Sequence, residues 1–331
     1  MESATLHAPC SRRQSLRIVA GAIGVAMLPG SALGKWESAG ATPHRWQGMA
    51  LGAESSIQLY HPHAGEARKL IADCVGEIER LESLFSLYRP NSELGRLNRT
   101  GCLRSPSGDF VRLLNLAKQW HRQTGGAFNI GVQPLWALYA RHFAQAHADP
   151  SGPAPSDIAH ARDLADMDAL HVATNAVRFG KKGMALTLNG IAQGYITDRI
   201  AVRLKAHGLT HVLVELGEFR ATAARPDGSP WTIGIADPDR PWQAMRTLAL
   251  QKGAVATSGS YGLLFEPNGR HHHLLDPFTG RSANHHRSVT VQAANATMAD
   301  ALSTALSVLP RADGTALLAQ FKETSAIFAD A

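Results

Sequence analysis

The chain has 331 residues, 44% of them hydrophobic, enough to bury a large core as one compact unit or as two closely joined lobes. Its formal charge of +6 is spread without a Lys/Arg-rich tract and no segment repeats, so the electrostatic stripe of a nucleic-acid binder is missing and no nucleic-acid partner is expected.

The amino terminus reads as an export signal. Ser11-Arg12-Arg13-Gln14-Ser15-Leu16-Arg17 is a twin-arginine pattern, followed by an apolar run from Ile18 to about Leu28 and small residues ending Ala32-Leu33-Gly34. Gly21, Gly24, Pro29 and Gly30 interrupt that run, which falls short of the roughly 20 apolar residues of a spanning helix. Cleavage near residue 34, a periplasmic location and no stable membrane anchor are therefore expected, with residues 35–331 forming the exported domain. Removing residues 1–34 takes away three arginines and one glutamate, so the charge falls by two and suits solubility.

The first strong helical pattern places Leu70, Ile71, Cys74, Val75, Ile78, Leu81 and Phe85 on one face. Cys74 on that stripe predicts a small buried thiol rather than a bridge to Cys102. A second helix is predicted from about Pro106 to Thr124, with Ser105 as cap, Phe110, Leu113, Leu114, Ala117 and Trp120 facing the core, and Gly125-Gly126 as its stop. Residues 148–155, rich in proline and small side chains, predict a loop. Short alternating runs at 170–174, 211–215, 231–235 and 288–291 read as strands. Helices and strands mix without a regular βαβ beat, which predicts an α+β fold.

Several segments carry candidate chemistry. Thr187-Leu188-Asn189-Gly190-Ile191-Ala192-Gln193-Gly194-Tyr195 reads as a β-rich run entering a glycine turn, then a helix with Ile191, Tyr195, Ile200 and Leu204 facing one way. His271-His272-His273-Leu274-Leu275-Asp276-Pro277 reads as a strand end breaking into an Asp-Pro turn. Alternate strand side chains point to opposite faces, so three consecutive histidines cannot share one metal. A site built from His271 and His273 with His285 or His286 is one alternative, and a solvated loop for the outer members is another. In Met298–Leu306, helical spacing puts Asp300, Ser303 and Thr304 on one face beside an apolar stripe of Leu302, Leu306 and Leu309. Hard oxygens in that arrangement suit magnesium, with a plain solvated face as the competing reading.

With Leu87–Leu94, Thr124–Gly131 and Ala256-Thr257-Ser258-Gly259, these blocks resemble, in order and approximate spacing from about Trp46 to about Leu309, the ApbE family of FAD:protein FMN transferases. The resemblance implies an α+β fold of mixed sheets and flanking helices, with a flavin cleft between two closely joined lobes. It implies that FAD is the substrate, that Mg2+ is the cofactor, and that FMN passes as a phosphoester to a Thr or Ser of an exported acceptor flavoprotein while AMP is released. Tyr88, Ala127, Phe128, Asn129, Thr187, Gln193 and Leu274 match flavin-contact positions; Gly190, Asp300, Ser303 and Thr304 match metal positions. His273 matches the proton acceptor, an assignment that an imidazole titrating near neutrality suits. Asp276 is its companion in the site, in a structural role. The chain departs from the family pattern at Thr187 (usually Asp), Asn189 (Gly), Gln193 (Lys or Glu), Ala50-Leu51-Gly52-Ala53 and Glu215–Arg220. The losses of charge keep open a periplasmic FAD-binding or flavin-delivery protein with little transfer.

Overall fold

The computed structural model describes residues 41–330; the predicted export signal lies outside them. β1 (Thr42–Ala50) and β2 (Ala53–His61) form a hairpin whose two turn residues, Leu51 and Gly52, both have positive φ (54° and 80°). That backbone twist matches the twist of the flanking strands. β2 pairs in turn with β6 (Val212–Glu215), β6 with β7 (Phe219–Ala221), β7 with β10 (Gly253–Gly259), β10 with β11 (His286–Ala293) and β11 with β12 (Ser325–Asp330), all antiparallel. A three-stranded sheet holds β3 (Cys102–Arg104), β5 (Ala176–Phe179) and β4 (Leu170–Val172); β8 (Trp231–Asp237) and β9 (Arg240–Leu250) pair only with each other. Mixed helices and antiparallel sheets make this an α+β protein. No helix among the described residues is long and apolar enough to cross a membrane.

The helices follow from their apolar periodicity. α1 (Ala64–Phe85) buries Ile71, Cys74, Ile78, Leu81 and Phe85, as its stripe predicts. Both described cysteines are free, and burial pushes the Cys74 thiol up to about 11. α2 (Glu93–Thr100) follows. α3 spans Gly108–Gln123, with Ser107 rather than Ser105 as cap: the Ser107 hydroxyl accepts from the Phe110 N–H at 3.2 Å, while Ser105 sits at φ 48°. The later start has a tertiary cause, because the Glu93 carboxylate accepts from both the N–H and the hydroxyl of Ser107, at 2.9 Å each, and pins the chain there. The stop is as predicted, with Gly125 and Gly126 at φ 59° and 97°. α4 (Gln133–Phe143) and α5 (Pro155–Asp163) complete this region, so the proline-rich stretch 148–155 is a loop that ends by opening a helix.

α6 (Ala192–Ala206) and α7 (Ala296–Ser307) lie against each other, and α7 also packs on β10 and β11. Held between sheet and helix, α7 is buried around nearly its whole circumference, Asp300 (3% exposed) and Ser303 included. The competing reading of a plain solvated face is thus excluded: alanine and serine are small enough for both neighbours to close in. The approach is tightest at Gly194, where a Cβ would lie 2.4 Å from the Ala296 carbonyl oxygen and 2.8 Å from the Asp300 Cβ. Gly194→Ala is expected to cost about 1–3 kcal/mol by overpacking, read as a lower urea midpoint.

Three apolar clusters result among the described residues. The largest joins the long sheet to α1, α3, α6 and α7; a second holds Leu213, Phe219, Trp231 and Val255; a third holds Leu135, Tyr139, Ile158, Ala161 and Leu275 between α4 and α5.

Candidate functional site

Every site residue predicted from the sequence except Asp276 and Ser303 lines one cavity. It lies where the largest and third apolar clusters meet: Ala127, Phe128 and Ile130 come from one, and Leu275, Val132 and Trp136 belong to or pack on the other. Tyr88 and Trp136 also wall an adjoining cavity of about 890 Å³, and Tyr88, Asn189 and Gln193 border a third beside Leu51 and Phe85. Tyr88 borders all three spaces, which adjoin there as one groove.

Local hydrogen bonds set each wall. The loop carrying Tyr88 is tied by Ser92, whose hydroxyl donates to the Ser86 carbonyl at 2.6 Å and caps α2 by accepting from the Gly95 N–H. Tyr88 is 39% exposed, and burial of its ring raises its phenol while Asn189 hydrogen-bonds it. After the double-glycine stop, the Thr124 hydroxyl accepts from the Phe128 N–H at 3.0 Å, which turns Ala127 and Phe128 into the cavity. Asn129 also lines it, but its amide is engaged in holding the chain: Oδ1 accepts from Gly131 N–H and Nδ2 donates to the Ala165 carbonyl.

The run before Gly190 is not a strand. Residues 184–188 belong to no strand, and the Thr187 N–H donates to the Ile130 carbonyl at 2.8 Å, joining this segment to the Phe128 loop instead. Gly190 is required by contact, since a Cβ would sit 2.8 Å from the Thr304 hydroxyl oxygen. Gln193 donates weakly to the Leu216 carbonyl at 3.4 Å.

The histidine run separates by burial. His272, the middle member, is fully buried, forms an isolated bridge with Leu264 and lies 3.2 Å from Asn284 Oδ1; the outer member His271 packs between Tyr139 and Phe143, which corrects the expectation of a solvated loop there. His286 lies against Phe328 and bonds the Leu309 carbonyl, and no three His, Cys, Asp or Glu side chains among the described residues converge on a metal position. The transition-metal alternative is therefore dropped. His273 faces the cavity with Nδ1 3.2 Å from the Leu263 N and O atoms, and Nε2 has no protein partner among the described residues. Burial pushes its imidazole down to about 4, so it is neutral and able to accept a proton at pH 7. Asp276 holds the following turn, its oxygens accepting from Phe278 N–H and the Thr279 hydroxyl at 2.8 Å each.

Burial also takes His272 down to about 4. Its folded pKa is below the unfolded value near 6.5, so the stability it contributes is complete above that value and lost as pH falls through about 4. Urea unfolding at pH 7, 5.5 and 4 is expected to show a loss of a few kcal/mol, reduced in His272→Asn.

The carboxylates lie at the α6–α7 contact. Asp198 accepts from the N–H groups of Ala296 and Thr297 at 2.9 and 2.8 Å and, with Asn295 as cap, fixes where α7 begins. One turn later Asp300 accepts from the Gly194 N–H at 2.9 Å. Burial, with some contribution from Asp198, pushes its carboxyl up to about 7. Ser303 does not reach the cavity; its hydroxyl bonds Ser258 Oγ at 2.8 Å and the Asp300 carbonyl, while Thr304 lies on the wall. Glu218, quoted above only as a departure from a pattern, lines the cavity at 4% exposure, pushed well up by burial and by Asp300, with Oε2 unpartnered. Its sequence signal was an acid beside Gly217, itself at φ 93°.

The sequence profile of the ApbE family matches residues 51–328. The chain belongs to the ApbE family. It is 30% identical over 304 residues to the FAD:protein FMN transferase of Treponema pallidum, covering 85% of this chain and 82% of that protein, and 31% identical over 246 residues to the one of Haemophilus influenzae, covering 70% of each. The crystal structure of Pseudomonas stutzeri flavinyl transferase ApbE superposes with a TM-score of 0.74 and 30% identity, covering 88% of this chain and 92% of that one. This ApbE protein thus brings residues from all six of the resembling segments to one cavity.

Proposed function

We propose that this protein is a divalent-cation-dependent FAD:protein FMN transferase acting on an exported flavoprotein domain. The observation that carries the reading is the meeting of aromatic rings, a neutral histidine and buried oxygens in one groove, from residues as far apart in sequence as Tyr88 and Thr304. Its relatives' names supply the reaction: each of those quoted is a flavin or FMN transferase.

The donor set fits magnesium, which takes oxygen ligands. Asp300, Thr304 and the Gly190 carbonyl would hold it, and the orphaned Glu218 Oε2 marks the region as short of positive charge. Bound there, the ion would neutralise charge on the pyrophosphate. Tyr88 and Phe128 supply ring surface for the flavin. His273 Nε2 takes the proton of the acceptor hydroxyl; the hydroxyl oxygen forms a bond to the FMN phosphorus as the bond to the AMP oxygen breaks, and AMP leaves with that electron pair. Ala127, Leu274 and Val308 line the same cavity and give it an apolar part of its wall.

Neutral Thr187 and Gln193 on the same wall favour a second reading, FAD binding or delivery without transfer. Incubation with FAD, Mg2+ and a threonine-bearing acceptor peptide separates the two. An FMN mass increase on the peptide with equimolar AMP is the expected result; neither product supports delivery, and AMP without labelling indicates FAD hydrolysis. Amino-terminal sequencing of the secreted chain tests cleavage near residue 34.

A further inference from the structure

We propose that Glu218 is a second carboxylate arm of the cation site, so that the protein takes up a divalent cation before any dinucleotide arrives. The inference rests on the assignment of Asp300, Thr304 and Gly190 to that cation. Glu218 comes from a separate part of the chain, the turn between β6 and β7. That turn is fixed by Gly217 at φ 93°, by a 3.2 Å bond from the Leu216 N–H to the Glu218 carbonyl, and by Gln193, which donates to the Leu216 carbonyl and packs on Gly217. The side chain is thereby brought to the wall that also carries Asp300, Thr304 and Gly190.

Three features separate it from an ordinary buried acid. The side chain is 4% exposed and its Oε2 has no partner, an arrangement that costs several kcal/mol for a charged oxygen unless something binds it. A second buried carboxylate, that of Asp300, lines the same cavity. No Lys or Arg among the described residues forms an ion pair with either; the nearby Arg220 pairs with Asp198 instead. A divalent ion satisfies both carboxylates at once. A site with Asp300 alone would carry a net positive charge when loaded and depend on the pyrophosphate to balance it, whereas two carboxylates balance a divalent ion without ligand.

Mn2+ binding to the EDTA-stripped mature protein, counted by the EPR signal of free ion, tests this. Wild type is expected to bind one Mn2+ without FAD. Glu218→Gln is expected to weaken that binding about tenfold or more, with a smaller rise in the thermal midpoint on Mn2+ addition, and Glu218→Asp to fall between. The aspartate variant serves alone if the glutamine variant does not fold. Unchanged Mn2+ affinity in Glu218→Gln alongside its loss in Asp300→Asn would overturn the proposal and leave the Asp300 site standing, as would wild-type binding only in the presence of FAD. Absence of Mn2+ binding with FAD present would overturn both.

Discussion

Asp300→Asn is expected to abolish measurable FMN transfer, by on the order of 10³-fold or more, while leaving a folded protein. The reason is charge: asparagine keeps the shape and still offers an oxygen to the Gly194 N–H, but removes the anion that would hold the cation. Stabilisation of several kcal/mol at the pyrophosphate corresponds to that loss, at about 1.4 kcal/mol per tenfold. Because Asp300 is buried beside Glu218, relief of a desolvated charge is expected to leave the metal-free melting temperature equal or raised. Peptide labelling by mass spectrometry and a melting curve in EDTA measure the two effects; wild-type labelling by this variant would remove Asp300 from the site.

His273→Ala is the second large effect, expected at about 10²–10⁴-fold in the labelling rate with FAD affinity retained. Its Nε2 has no protein partner among the described residues, so truncation leaves the flavin walls intact, and a neutral imidazole is the side chain there suited to take the acceptor's proton. With the imidazole pushed down to about 4, the group stays deprotonated through mildly acid conditions, and at saturating Mg2+, which holds Asp300 in its ionised form, the wild-type rate is expected to hold from pH 7 to about pH 5 before His273 protonates. A fall in rate centred at pH 6.5 would show a solvated histidine instead. Flavin fluorescence titration checks that the variant still binds FAD.

Much of the chemistry was legible beforehand because it is written in residue type and short spacing. An acid followed by hydroxyls three and four residues on, a histidine before an Asp-Pro turn and a double glycine behind a helix each depend on neighbours within one or two turns of chain. The stripes of α1 and α6 were legible for the same reason, and their apolar positions are buried except Leu70 and Val75 of α1, which are half-buried at its edge. Where the reading failed, long-range contacts were the cause. Ser107 replaced Ser105 as cap because Glu93, 14 positions away, holds it. The segment before Gly190 has β-like composition but gives its hydrogen bond to Ile130 rather than to a ladder.

By itself, then, the sequence determined which oxygens, rings and imidazole are available, the helical faces that carry them, and the family order in which they come. The tertiary structure alone decided which of them meet. Gly194 and Asp300, 106 positions apart, touch because both helices have small residues at the crossing, and that contact buries a carboxylate for which spacing alone left a wet face open. Ser303 turns to Ser258 and Asp276 to its own turn, while Glu218 enters the groove. Spacing sets where a side chain lies on its own element; whether that face meets water, a core or a second charge depends on what distant chain packs against it.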